Sequence, residues 1–113
     1  MKTALVVKFT QPVPGREKAA VAYARELDEF VSKKAAEGMC TEPKWFWTSN
    51  GENLWFVEGE YEELLALLTT PEVTKLENKG MILMQDFSSE LYVVGREESL
   101  TPYEEALADV GIK

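Results

Sequence analysis

Apolar side chains recur with two different periods along the first third of the chain. Residues 4–9 are mostly β-branched and apolar, which predicts a first strand. Two prolines and a glycine in residues 11–15 favour a turn. Over residues 14–37, apolar side chains recur every three or four positions, which predicts a helix that ends at Gly38. The apolar face of this helix consists of Ala20, Ala24, Leu27, Val31 and Ala35.

Two short runs rich in aromatic residues form the next predicted elements. Residues 44–48 and 54–58 have the composition of strands two and three. Asn50 and Gly51 lie between them, and an Asn-Gly pair is a strong signal for a tight hairpin turn. The sequence therefore predicts two neighbouring antiparallel strands.

A second helical pattern covers residues 61–68. Its predicted buried side consists of Leu64, Leu65 and Leu68.

A third helical segment begins where Thr70 precedes Pro71, because threonine caps helices and proline suits the first turn. We expect Gly80 to end it. Residues 81–84 fit either a helical turn or the start of a strand, and residues 86–94 predict strand four.

The composition changes after residue 95. Residues 96–113 contain two basic and five acidic side chains. Thr101 and Glu104 have the spacing of a capping box, which predicts a short helix over residues 102–110. We therefore divide the chain into a domain over residues 1–95 and an acidic tail whose role stays open. The apolar face of the tail helix consists of Tyr103, Leu107 and Val110.

The order of elements predicts the fold class. Strand, helix, strand, strand, helix and strand follow one another, and a right-handed crossover leaves a gap between strands one and two for strand three. The result is an α+β fold, a ferredoxin-like βαββαβ arrangement with a four-stranded antiparallel sheet and helices on one face.

The sheet face turned away from the helices is the informative one. In strands two and three both sides are apolar or aromatic: Trp45 and Trp47 share one side of strand two, and Phe46 takes the other. Helices cover only one face, and large apolar patches are rare on soluble monomers. We therefore predict a homodimer through the open sheet face, with a ligand or the folded-back tail as other covers. In strand one, the side facing the helices is predicted to consist of Leu5, Val7 and Phe9.

Composition excludes several classes of function. Twelve basic against twenty acidic residues give a net charge of −8, which disfavours nucleic acid and anionic membranes as partners. The chain has no histidine, which excludes histidine bases and histidine metal ligands. Cys40 is the single cysteine, so an internal disulfide and a thiolate zinc site are excluded. We expect no metal, no cofactor and a cytoplasmic location.

Four segments carry a resemblance to a known family. Val-Pro-Gly-Arg-Glu-Lys at residues 13–18 resembles the opening of the first helix in the dimeric α+β barrel superfamily, in its antibiotic-biosynthesis-monooxygenase-like group. Thr-Pro-Glu-Val at residues 70–73, Leu-Met-Gln-Asp-Phe at 83–87 and Leu-Tyr-Val-Val at 91–94 are similar to its second half. The resemblance covers about residues 3–95.

The resemblance implies a set of expected functions. The superfamily includes monooxygenases without a cofactor, haem-degrading enzymes and many proteins without an assigned activity. The haem-degrading branch uses a histidine for iron, which this chain lacks. The resemblance therefore implies oxidation in which the substrate itself, as a carbanion, reduces O₂.

Two sets of side chains are candidates for ligand binding. The first would stack a flat ligand between the two sheets of a dimer or would only fill the dimer core; it consists of Trp45, Trp47 and Trp55. The second lies on the open face, where Lys8 would hold an anionic group and Tyr92 would donate a hydrogen bond or a proton, with Glu90 beside them. Its structural alternative is a Lys8–Glu90 ion pair next to a core tyrosine.

These observations together predict a small-molecule-binding dimeric α+β barrel protein. Its activity would be cofactor-independent oxidation of an aromatic or quinol-like compound, and no catalytic residue is assigned. The alternative is a non-catalytic oligomerisation or ligand-sensing domain.

Overall fold

The computed structural model describes residues 1–49 and 51–111. Eight elements follow one another in the predicted order, including the predicted helix at the end. They are β1 (Lys2–Phe9), α1 (Glu17–Ala36), β2 (Lys44–Phe46), β3 (Asn53–Glu60), α2 (Tyr61–Leu68), α3 (Pro71–Leu83), β4 (Ser88–Val93) and α4 (Arg96–Asp109).

The strands form one antiparallel sheet in the order β2-β3-β1-β4. Helices α1, α2 and α3 supply the apolar side chains that pack on one face of this sheet. The arrangement confirms the predicted α+β class and ferredoxin-like fold. Asn50 of the predicted hairpin signal lies outside the described residues, although the pairing of β2 with β3 is confirmed.

The register of the sheet decides which side chains enter the core. Leu5 lies opposite Val57, and Val7 lies opposite Trp55. All four are buried under the helices, as is Phe9, so the predicted orientation of β1 is confirmed. Burial of such side chains contributes about 1.5–3 kcal/mol each. The helices complete this core with Ala20, Tyr23, Leu27, Val31, Leu64, Leu67, Val73 and Leu76.

Two helix faces differ in detail from the prediction. In α1 the large Tyr23 is buried, whereas Ala24 is only half-buried. In α2, Leu64 and Leu67 are buried and Leu65 is exposed, because the sheet lies under a stripe rotated from the predicted one. Gly38 follows α1 with φ of 85°, and its N–H bonds to a carbonyl of the last turn, so the predicted end is confirmed.

Gly80 does not end α3, which corrects the prediction. The helix runs on to Leu83 through Gly80, and residues 81–83 are helical. A Cβ at Gly80 would lie 2.6 Å from the Tyr23 hydroxyl and would also meet the ring of Phe87. The glycine is therefore required by close packing of α3 against α1 and the sheet, not by a turn.

The last helix begins earlier than predicted. It starts at Arg96 after Gly95, whose φ is 121°, and Pro102 lies inside it, so Thr101 is not a cap. No side chain of α4 is buried, and α4 has no extended packing against the other described elements. The radius of gyration of 16.4 Å accordingly exceeds the value of about 13 Å expected for a compact chain of this length.

No helix in the described part of the chain is long and apolar enough to span a bilayer.

Candidate functional site

The three tryptophans lie on the helix side of the sheet. Trp55 is 3% exposed in the core, and Trp45 lies opposite it in the register of β2 and β3. They are therefore not placed between the sheets of a face-to-face dimer, which corrects that part of the prediction. The reason is the register, because Trp55 pairs with the inward-facing Val7.

Four aromatic rings form a continuous row whose two ends, Trp55 and Phe9, are buried. Trp47 stacks on Trp45 with ring centroids 5.4 Å apart and planes inclined by 4°. Trp45 contacts Trp55 at 5.7 Å, and Phe9 meets Trp47 edge-on at 5.7 Å. Trp47 is 63% exposed, so the row presents one indole face to solvent.

Two polar side chains hold this row in place. Trp45 Nε1 donates a hydrogen bond of 2.8 Å to Asp28 Oδ1 on α1. Beyond the end of β2, the Asn53 side chain accepts from the Thr48 N–H and donates to the Thr10 carbonyl, each at 2.7 Å. These bonds position the segment that carries Trp47 against the end of β1.

An open groove runs between α1 and the stacked indoles. It has a volume of about 460 Å³ and is continuous with a second cleft of about 270 Å³, with which it shares Val21, Ala24 and Trp47. Together they fall in the size range of small-molecule sites, roughly 300–1,000 Å³. Besides the three shared residues, the larger part is lined by Arg25, Asp28 and Trp45.

An unpaired donor lies deeper, between the sheet and the helices. Trp55 Nε1 is buried and has no hydrogen-bond partner among the described residues. It borders an interior cavity of about 20 Å³ that Tyr23 and Glu77 also line. Burial, with Glu77 and Glu26 nearby, raises the pKa of the Tyr23 hydroxyl well above its ordinary value of 10.0. Both side chains are therefore neutral donors at physiological pH.

The second predicted set lies on the open face. Lys8 pairs with Glu52 at 3.5 Å, and the Tyr92 hydroxyl donates to Glu90 Oε2 at 2.8 Å. Tyr92 and Glu52 raise the pKa of the Lys8 ammonium, and the hydrogen bond to Glu90 raises the pKa of Tyr92. The six predicted residues thus lie on opposite faces of the sheet and do not form one pocket within a subunit.

Apolar rings dominate the rest of the open face. Phe46 stacks on Phe56 with centroids 6.0 Å apart and planes inclined by 6°. Val6 lies opposite Phe56, and Leu54 lies opposite Phe46. Phe46 is 52% exposed, so water meets an aromatic patch on β2 and β3, towards one edge of the sheet.

The remaining candidate chemistry is sparse. Burial raises the pKa of the Cys40 thiol, which disfavours the reactive thiolate. In residues 1–49 and 51–111, no cluster of three or more acidic or cysteine side chains has metal-binding geometry.

Comparisons with known proteins support the fold. A scan against protein-family models finds no match, and no curated protein matches the sequence significantly. Among solved structures, Rv0793 from Mycobacterium tuberculosis is 19% identical, with a TM-score of 0.66 over 88% of this chain and 100% of its own.

Two further structures are similar. A dimeric protein of unknown function and ferredoxin-like fold from Bacteroides fragilis is 16% identical, with a TM-score of 0.57 over 82% of this chain and 96% of its own. An inferred antibiotic biosynthesis monooxygenase from Deinococcus radiodurans is 15% identical, with a TM-score of 0.58 over 85% and 94%. The predicted resemblance to this group is thereby confirmed at the level of the fold.

Sequence reasoning missed most of the groove. Val21, Ala24, Arg25 and Asp28 follow one another at spacings of three, one and three, so a second stripe on α1 beside the core stripe was available as a signal. No sequence signal connects Asp28 with Trp45, because their contact depends on how α1 crosses the sheet.

Proposed function

We propose that the protein is a homodimer that binds a flat aromatic compound in the groove between α1 and β2. The single observation that carries this proposal is the parallel pair of Trp45 and Trp47 at the wall of the groove, with one indole face open to solvent. A flat ring extends such a stack, and each aromatic contact contributes about 0.5–1.5 kcal/mol beyond its buried area.

The charges at the groove indicate the class of ligand. Asp28 is engaged by Trp45, whereas Arg25 forms no ion pair with any other residue that the structure describes. A guanidinium at the rim favours a ligand whose ring carries a carboxylate, phenolate or quinone oxygen. The preferred ligand is therefore an oxygenated aromatic compound, such as a quinone or a phenolic acid.

The homodimer is proposed through the open face. Two copies packed sheet to sheet would bury the exposed Phe46 ring and the neighbouring Phe56. The dimeric state of the Bacteroides fragilis protein with this fold supports a homodimer. In that dimer Lys8, Glu90 and Tyr92 lie between the sheets, where ligand binding by these residues stays a prediction.

Quenching of tryptophan fluorescence tests the ligand site. Titration with 1,4-naphthoquinone should quench the emission in a saturable way and raise the melting temperature. Trp47→Ala should abolish saturable quenching, since it removes the exposed half of the stack. Met81→Ala, at an exposed site on α3, should retain it. Linear quenching without a plateau in the unmodified chain, with unchanged thermal stability, would contradict the proposal.

A second candidate is oxidation, without a cofactor, of a compound bound in the groove. In this reaction a substrate R₂CH₂ loses a proton, the carbanion transfers electrons to O₂, and the resulting peroxide loses water, so that R₂CH₂ + O₂ gives R₂C=O + H₂O. The similarity to the Deinococcus radiodurans protein supports this candidate.

Oxygen consumption separates this candidate from a ligand-sensing or oligomerisation domain. With anthrone-type substrates, an oxidase should consume one O₂ per carbonyl formed. Trp47→Ala, which removes the exposed half of the stack, should lower this O₂ uptake, whereas Met81→Ala, at an exposed site on α3, should retain it. Saturable binding without any O₂ uptake would assign the groove to ligand sensing.

A further inference from the structure

Helix α4 has an apolar stripe that has no extended packing against the other described elements. At 3.6 residues per turn, the stripe residues share one side of the helix, and Glu98, Glu105 and Asp109 occupy the opposite side. An isolated helix of this length is marginally stable in water, because most helical stability comes from packing of such a face. The stripe consists of Leu100, Tyr103, Leu107 and Val110.

The position of α4 places the helix far from the groove of its own subunit. It follows β4, which forms one edge of the sheet, whereas β2 and the groove lie at the other edge. With neighbouring strands about 4.8 Å apart, the two edges are separated by roughly 14 Å. The sheet and its helices lie between them.

A second copy removes this separation. When two identical sheets pack face to face about a two-fold axis parallel to their strands, the β4 edge of each lies next to the β2 edge of the other. The sheets would be about 10 Å apart, and a helix of fourteen residues is about 21 Å long. Val93 at the end of β4 lies level with Thr3, whereas Trp45 lies level with Val7, about 13 Å farther along the strands. Helix α4 therefore reaches the helix side of the partner's sheet when it turns back along the partner's β2 edge.

We infer that α4 of each protomer docks by its apolar stripe across the Trp45–Trp47 groove of a second copy of this chain. The inference rests on the proposed homodimer. Trp47, the most exposed tryptophan, would then be covered, and the open side of the groove would be closed by the partner. In the absence of ligand, each groove is therefore closed by the partner chain.

Charge complementarity favours this occupant. Helix α4 carries five carboxylates and one arginine, which makes it the most acidic helix of the chain. Arg25 at the groove rim is a cation without an ion-pair partner in the described ranges. Docking of α4 brings its carboxylates towards this cation, so that an oxygenated ligand has to displace them from Arg25 and from the Trp47 ring in order to bind.

Bimane fluorescence, which tryptophan quenches on contact, tests the docking in the full chain. One chain carries Cys40→Ser, Trp47→Phe and a bimane-labelled Val110→Cys, and is mixed with an excess of unlabelled Cys40→Ser chain. We expect loss of bimane emission with a Trp47 partner and recovery with a Trp47→Phe partner. A bimane label at Glu105→Cys, on the opposite side of α4, is the matched control and should stay bright in both mixtures.

The remaining outcomes overturn the inference in distinguishable ways. Emission that is insensitive to the partner's Trp47, in a sample whose mass is that of a dimer, rejects the docking and leaves the homodimer standing. Quenching that follows only a Trp47 on the labelled chain itself places α4 on its own subunit. A monomeric mass rejects the proposed dimer together with the docking.

Discussion

The indole N–H of Trp45 donates to the carboxylate of Asp28 across 2.8 Å, and this bond connects β2 to α1. Strand β2 has only three residues and lies at the edge of the sheet, so few ladder hydrogen bonds hold it. The bond to Asp28 supplies a connection that the short strand lacks. It also sets the plane of Trp45, on which Trp47 stacks.

Removal of this acceptor should loosen the groove. Asp28→Ala leaves the Trp45 N–H without a partner, and we expect a loss of about 1–2 kcal/mol in the free energy of unfolding. The near-ultraviolet circular dichroism of the stacked indoles should weaken at the same time. Asp28→Asn retains an oxygen acceptor and should lose less than about half of that stability. Equal losses of stability for Asp28→Ala and Asp28→Asn would show that the hydrogen bond from Trp45 does not hold the row of aromatic rings in place.

Substitution of Gly80 should reveal its packing role. Gly80→Ala places a Cβ against the Tyr23 hydroxyl and the Phe87 ring, and overpacking of this kind costs about 1–3 kcal/mol. Urea unfolding measures the change. Asn78→Ala, on the exposed side of the same helix, is the control and should be neutral or slightly stabilising because alanine is a good helix former. An increased free energy of unfolding for Gly80→Ala would mean that the Tyr23 hydroxyl and the Phe87 ring leave room for a side chain at this position.

Alkaline pH should destabilise the protein through Tyr23. Its pKa is raised in the folded state by burial, so above the ordinary value of 10.0 the unfolded chain releases this proton while the folded chain retains it. The contribution of Tyr23 to the free energy of unfolding is therefore complete below pH 10. It is lost as the pH rises towards the pKa of Tyr23 in the folded state, by up to about 1.4 kcal/mol per pH unit.

Tyr23→Phe provides the comparison for this effect. Free energies of unfolding from urea titrations between about pH 8 and 11 should fall less steeply for the phenylalanine variant than for the unmodified chain. Parallel pH dependences would indicate that the Tyr23 hydroxyl ionises equally in both states.

A charge at the middle of the open face should separate the protomers. Phe56→Glu introduces two carboxylates into a two-fold interface, one from each copy, without a partner for either. We expect a monomer with unchanged far-ultraviolet circular dichroism, because Phe56 contributes to the open face and not to the helix-side core. Met81→Glu, at an exposed site on α3, should leave the dimer intact. A dimeric Phe56→Glu would locate the interface elsewhere.

Local patterns predicted the fold well, and the tertiary register explains where they failed. The alternation in β1 correctly placed Leu5 and Val7 under the helices. In β2 and β3 both sides are apolar, so the alternation of apolar and polar residues could not predict which side faces the helices. Only the pairing of Trp55 with Val7 assigns the tryptophans to the helix side. The candidate ligand site moved to that side with them.

The other wrong predictions concern residues whose type is compatible with two different local structures. A glycine in a helical pattern is compatible with a helix end and with a close contact, and at Gly80 the contact decides. Thr101 and Glu104 have the spacing of a capping box, yet the helix already begins at Arg96 and Pro102 is tolerated inside it. Contacts between distant segments, such as Asp28 with Trp45, have no local signature at all.

Sedimentation equilibrium of the unmodified chain at low micromolar concentration tests most directly whether a second copy covers the open sheet face. The expected result is a single species with twice the 12.8 kDa mass of the chain at every concentration. A species of 12.8 kDa throughout would leave the Phe46–Phe56 patch bare in solution, and would contradict the homodimer and the two-chain site that depends on it.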